Sequence, residues 1–172
     1  LSAMRIGAFM TLPIECVHLD ELMIQQLPER GVKTKNSKAA QTYLLNIEDL
    51  LEVVRAWDAK VRGELPESFL WYARLTKEGT FALEESTATR REVSQGSRFR
   101  AELVEMCERA GIPYRSPHKL RHGFAVHALK KAKTLAQLKA ISQNLMHANV
   151  GTTDGIYGRL VDDDVKNIIT GL

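Results

Sequence analysis

Ile47, Leu50, Leu51, Val54 and Val61 recur at helical spacing, which predicts an amphipathic helix over Ile47–Arg62, ended by Gly63-Glu64-Leu65-Pro66. Phe99, Leu103, Cys107 and Ala110 form a second apolar stripe, so a helix is expected over Ser97–Ala110 with Gly111 as its stop. Further helices are expected at Pro117–Lys131, Leu135–Met146, Gly151–Tyr157 and Asp163–Ile169. The first third has shorter periods. Leu1–Met10 reads as the end of a helix and Leu12–Asp20 as a connection. Leu22–Leu27, Gly31–Lys35 and Ala39–Leu45 read as three short strands, with turns at Pro28–Gly31 and Thr34–Lys38. Phe69–Ser86 combines an aromatic cluster (Phe69, Trp71, Tyr72) with a turn at Lys77–Thr80, and reads as a loop carrying a short strand. The fold class is mainly α with a small antiparallel β-sheet (α+β).

With 172 residues, 44% of them hydrophobic, the chain has apolar material for one core, and residues 1–172 are expected to form one domain. No apolar run is long enough to span a membrane, and no signal-peptide pattern opens the chain. The net charge of +3 says little, but its distribution says more. No acidic residue falls between Glu108 and Asp154, whereas Arg115, Lys119, Arg121, Lys130, Lys131, Lys133 and Lys139 all do. A one-signed block suits a surface that tracks phosphates, whereas a merely solvated helix face usually mixes both signs. Cys16 and Cys107 stand alone, without metal-ligand spacing, and suit a reducing cytoplasm.

On a helix starting at Pro117, His118, Arg121, His122 and Ala125 share one face. Leu120, Phe124, His127 and Ala128 share another, which is expected to be buried, with His127 as a core-side histidine. His118 and His122 have the spacing of zinc ligands, but Lys119 stands where a metalloprotease needs glutamate, and no acidic residue nearby completes a site. No metal and no cofactor are expected. Taken alone, Ser116–His122 reads better as a basic surface helix than as a site.

Three motifs together change that reading. RIG at Arg5–Gly7, HKLRHGFAVH from His118 and LMHANVGTTDGIYG up to Gly158 occur in order across most of the chain. Jointly they resemble the tyrosine recombinase (phage integrase) family and its catalytic-domain fold. The resemblance implies a site-specific DNA recombinase that breaks and rejoins a phosphodiester through a 3′-phosphotyrosyl intermediate. It makes Arg5 and Arg121 the clamp on the scissile phosphate, a task suited to the planar, permanently charged guanidinium. Tyr157 becomes the nucleophile, His118 the acid/base histidine and His147 a hydrogen-bond donor to the phosphate. Lys33 becomes the lysine that protonates the leaving 5′-oxygen, with Lys35 as the alternative, because register in a short hairpin is not fixed by sequence. Tyr43, Tyr72 and Tyr114 lack the TT…Y context of Tyr157, and Trp57 and Trp71 read as packing residues.

The resemblance further implies double-stranded DNA attachment sites as partner, a homotetramer on DNA with a monomer in its absence, and a cytoplasmic, bacterial or phage-encoded protein. It also implies a separate N-terminal DNA-binding domain and a first helix that are expected to be missing from this chain. Val161–Leu172, acidic and then apolar at helical spacing, is implied to dock on a neighbouring protomer. The interval from His147 to Tyr157 is one residue longer than in most members, a spacing shared by a subset with T-T-x-x-x-Y-G. Two residues depart from the family pattern: Ala8 replaces the glutamate that follows R-x-G, and Met146 replaces the glycine before the late histidine. Both departures favour an alternative, a non-catalytic DNA-binding module or inactive integrase remnant. A helical interaction protein with an incidental basic block is the third possibility.

Overall fold

Residues 1–87 and 95–147 are described by the computed structural model; the helices expected at Gly151–Tyr157 and Asp163–Ile169 lie outside them. The chain divides into two compact units, Leu1–His122 and Gly123–Leu172. Among the described residues the α-helices are α1 (Ile6–Phe9), α2 (Glu48–Glu64), α3 (Gln95–Arg109), α4 (Pro117–Lys131) and α5 (Leu135–Asn144). One antiparallel sheet has the order β1 (Val17–His18), β2 (Met23–Gln26), β3 (Ala40–Tyr43). The expected class, helical with a small antiparallel sheet, is the one observed.

In the sheet Val17 pairs with Ile24, and Ile24 in turn with Thr42. The third strand expected at Gly31–Lys35 does not form. Pro28–Arg30 makes a 3₁₀ turn closed by Gly31 at φ 88°, a left-handed conformation that suits glycine and breaks an extended ladder. Val32 then plugs into the core, and Lys35–Ser37 makes a second 3₁₀ turn with Asn36 left-handed. The first strand comes instead from the segment read as a connection, where two residues are too few to carry a period. Within Leu1–Met10, likewise, helix forms only over Ile6–Phe9.

One core cluster gathers Ala8, Leu12, Cys16, Val17, Ile24 and Val32; a second gathers Ile14, Val61, Leu65, Ala73 and Phe81. Trp71 packs against both. α2 buries Leu51, Asp58 and Val61, whereas Leu50, expected inward, is half exposed. Asp58 is buried because it has partners. Trp71 donates its indole N–H to one oxygen at 2.7 Å, and Arg62 Nε donates to the other at 2.8 Å. The remaining Arg62 donors reach Glu67 at 2.8 and 2.9 Å and the carbonyls of Ile14 and Val17 at 3.1 and 2.5 Å. This planar fork ties the end of α2 to the segment entering β1.

α4 has the expected bounds but turns a different side inward. Arg121, Ala125 and Ala128 are buried, whereas Leu120 and His127 are exposed. His127 is therefore a surface residue. The inward side takes Arg121 and Ala125 from the face expected to be polar and Ala128 from the face expected to be buried, while His118 stays exposed. Ala110, expected inward on α3, is exposed, while Cys107 is buried. Both cysteines are free and buried. Burial, with the neighbouring Glu15 carboxylate second, pushes the Cys16 thiol up to about 11.

Two outcomes follow from this packing. Arg62→Met strands the Asp58 carboxylate, and urea unfolding should register a loss of about 3 kcal/mol; adding Asp58→Asn should recover part of it. Because the Cys16 pKa is raised on folding, the native state favours the protonated thiol, and its contribution falls as pH rises from the ordinary thiol range toward about 11. Thiol reagents at pH 8 should label Cys16 only after denaturation.

Candidate active site

Arg5 stands at the end of an extended opening segment (φ −71°, ψ 148°) and caps α1, its carbonyl accepting the Phe9 N–H at 3.0 Å. This four-residue helix is too short to be stable alone, so packing must hold it. The Phe9 ring lies 5.0 Å from Tyr72, 5.6 Å from Phe99 and 6.2 Å from Trp71, centroid to centroid. These contacts fasten the Arg5 turn to the aromatic segment after α2 and to α3.

Arg121 is buried on the inward face of α4 and donates from its guanidinium to the carbonyl of Ala3. Ala3 sits in the left-handed region at φ 56°. Because Ala3 and Arg5 are two residues apart, their Cα atoms lie within about 7 Å. The bond therefore brings the backbone of Arg5 beside the Arg121 head group. His118 lies one turn before Arg121, exposed in the first turn of α4. Pro117 at the first helical position suits that start, and the Ser116 carbonyl accepts the Leu120 N–H at 3.0 Å.

Lys33 comes to the same segment from the other side. Its backbone N–H donates to Thr11 Oγ1 at 2.8 Å, and the Thr11 hydroxyl donates to the Gly7 carbonyl at 2.8 Å. A Cβ on Gly7 would meet the Lys33 carbonyl oxygen at 3.6 Å, an ordinary contact distance, so the β2–β3 connection lies against α1. The Lys33 side chain is exposed. Lys35, also exposed, lies two residues further on in the 3₁₀ turn. The Arg121 guanidinium and the Lys33 backbone are thus both bonded to residues 3–11, the segment that carries Arg5. Sequence reasoning missed Ala3 and Thr11. A backbone acceptor leaves no signal in sequence, and a threonine four residues after a glycine is too common to mark one.

His147 belongs to the second unit and follows α5. Thr134 and Gln137 form a reciprocal capping box at the start of α5, with bonds of 3.2 and 3.1 Å. At its end the His147 N–H donates to the Ser142 carbonyl at 3.1 Å and the Met146 N–H to Gln143 at 2.7 Å. This paired pattern is a Schellman turn, whose left-handed position normally takes glycine. Here Met146 occupies it at φ 51°. The methionine keeps the turn that presents His147, at the steric cost of a Cβ in that region.

Among the other tyrosines, Tyr72 donates to Glu102 at 2.5 Å. Burial first, and then that carboxylate, raise its phenol far above the ordinary range, the opposite of what a nucleophile needs. Tyr43 and Tyr114 are exposed. Tyr157 lies outside the described residues. Among the described residues no three His, Cys, Asp or Glu side chains group so as to hold a metal ion, and no helix is long and apolar enough to cross a membrane.

The fold is that of a known class. Residues 1–163 match the model of the phage integrase family, and the chain belongs to that family. The tyrosine recombinase XerC of Herpetosiphon aurantiacus is 26% identical over 164 residues, covering 94% of this chain and 45% of the relative. The tyrosine recombinase XerD of Brucella abortus biovar 1 is 35% identical over 74 residues, covering 42% of this chain and 23% of the relative. The chain thus spans less than half the length of these curated relatives. XerA recombinase superposes with a TM-score of 0.62 at 23% identity, over 99% of this chain and 53% of that one. The Tn1549 transposon integrase in complex with circular intermediate DNA superposes with a TM-score of 0.59 at 15% identity, over 98% of this chain and 56% of that one. These superpositions establish a shared fold.

The Met146 turn yields a signed prediction. Met146→Gly should stabilise the folded chain by about 1 kcal/mol, and Met146→Val should destabilise it by a similar or larger amount, both read from urea midpoints. Equal midpoints for all three would mean that the left-handed turn is not the resting conformation.

Proposed function

We propose that this chain is the strand-exchange part of a site-specific DNA recombinase, acting through a 3′-phosphotyrosyl intermediate. The observation that carries the reading is that the Arg121 guanidinium and the Lys33 backbone are both bonded to residues 3–11, the segment that carries Arg5. Arg5 and Arg121 clamp the non-bridging oxygens and stabilise the charge that grows in the transition state. The Tyr157 phenol oxygen attacks phosphorus and its proton passes to His118. The phosphorus–O5′ bond breaks, and the Lys33 ammonium supplies the proton that leaves a free 5′-hydroxyl. His147 donates a hydrogen bond to the phosphate. The phosphotyrosyl bond conserves the energy for rejoining by the reverse step. Cationic side chains supply the charge neutralisation throughout, and the acid-free stretch between Glu108 and Asp154 extends it along the duplex backbone.

The partner in this reading is a double-stranded attachment site, in the cytoplasm of a bacterial host, with residues 1–172 acting as one catalytic domain. Four protomers assemble on DNA through Val161–Leu172 docking in trans, and the free chain is a monomer. The relatives' additional length leaves room for a second domain that grips the opposite side of the duplex, so this chain alone binds weakly. A second reading, a DNA-binding remnant without catalysis, is favoured by Met146 in a left-handed turn and by Ala8 in place of glutamate.

The test uses the duplex that this chain selects from a random-sequence library. Denaturing gels of the unaltered chain should show a covalent protein–DNA adduct that Tyr157→Phe abolishes, with affinity changed less than about twofold. Binding without any adduct would favour the remnant. With about four phosphate contacts, affinity should fall about a hundredfold for a fourfold rise in salt; salt-insensitive, negligible binding would overturn both readings. A chain ending at Leu160 should bind DNA as a monomer but fail to form higher assemblies, and equal assembly would refute docking in trans.

A further inference from the structure

The Thr11 hydroxyl joins the two sides of the site, and nothing in the proposed chemistry assigns it a role. Its side chain is buried, and it uses both faces of its oxygen. It accepts the Lys33 backbone N–H at 2.8 Å and donates to the Gly7 carbonyl at 2.8 Å, with the Ala8 carbonyl at 3.4 Å. Gly7 lies two residues after Arg5. The one hydroxyl therefore connects the turn that presents an arginine to the connection that presents a lysine. On either side of Lys33 the restraints are few: Val32 is inserted in the core and bonded to Leu27, and Thr34 donates to Val32 at 3.0 Å. Beyond Thr34 come the consecutive left-handed residues Asn36 and Ser37. By contrast, no hydrogen bond is described that ties Lys35 to α1.

We propose that Thr11 is a positioning residue, holding the Lys33 backbone on the Arg5 turn so that the ammonium reaches the leaving oxygen while the arginine clamps the phosphate. The assignment rests on the strand-cleavage reading above and deepens it. A proton donor acts only within hydrogen-bond reach of the atom it protonates, and a displacement of about 1 Å costs up to about a hundredfold in rate. An exposed, flexible lysine meets that requirement only if its backbone is fixed. Thr11 supplies the fixed point, and it does so with respect to the phosphate clamp.

Two measurements test the proposal. The first reads geometry and needs no DNA. The Lys33 amide should be protected from hydrogen exchange, and Thr11→Val should speed its exchange by about tenfold, while Thr11→Ser restores protection and the Val32 amide, bonded to Leu27, stays unchanged. The second compares adduct formation on the selected duplex with an ordinary 5′-oxygen and with a bridging 5′-sulfur at the scissile position. An alkoxide leaves poorly without a proton because its conjugate acid is about as weak as water. A thiolate, with a thiol pKa of about 8.5, leaves without one. Thr11→Val should slow cleavage of the oxygen substrate by about tenfold to a hundredfold, leave cleavage of the sulfur substrate near the unaltered rate, and be rescued by Thr11→Ser. Lys33→Ala should show the same pattern more strongly, whereas Arg5→Ala should be slow on both substrates.

A Thr11→Val chain that is slow on both substrates, or whose Lys33 exchange is unchanged, would overturn the positioning role. If the unaltered chain protects the Lys33 amide but forms no adduct on either substrate, strand cleavage itself falls, and this role falls with it. The two failures are thereby distinguished.

Discussion

A guanidinium taken out of water must find acceptors, and that requirement organises this molecule. Arg121, buried on α4, donates to the carbonyl of Ala3 across 118 positions of chain. The contact brings the opening segment to the first turns of α4. It needs Ala3 in a left-handed conformation, and a strained backbone of this kind persists only where its surroundings hold it. Arg5 lies two residues along the chain from that bond.

Arg62 solves the same problem for stability. All its donors end on the protein, two on Glu67, one on Asp58 and two on the carbonyls that lead into β1. Asp58 is fixed in turn by the indole of Trp71, which packs against both core clusters. Trp71 also touches Phe9, so the chain of contacts runs from α2 through the aromatic cluster to α1 and the Arg5 turn. The scaffold and the candidate site are mechanically continuous within the first unit. Disturbing α2 is therefore expected to reach the site through packing rather than charge.

The two departures from the family pattern have different physical meanings. At Met146 the turn is kept and the glycine is not: the Schellman bonds form, and the side chain carries the strain. At Ala8 the side chain is small and buried in the core cluster, and the neighbouring Thr11 supplies the polar connection through which α1 reaches Lys33.

The sequence by itself determined the helices α2 to α5, because apolar periodicity and caps are local, and it determined the family, because motif order survives without coordinates. It also offered Arg5, Lys33, His118 and Arg121 as candidates. Tertiary structure decided what periodicity could not reach. It placed β1 in a segment two residues long, and it left Gly31–Lys35 out of the sheet because Gly31 is left-handed and Val32 is drawn into the core. It chose the inward face of α4, turning His127 outward and Arg121 inward. That choice depends on whether a buried cation finds a carbonyl. Such an acceptor belongs to backbone far away in sequence, and no local pattern of side chains announces it.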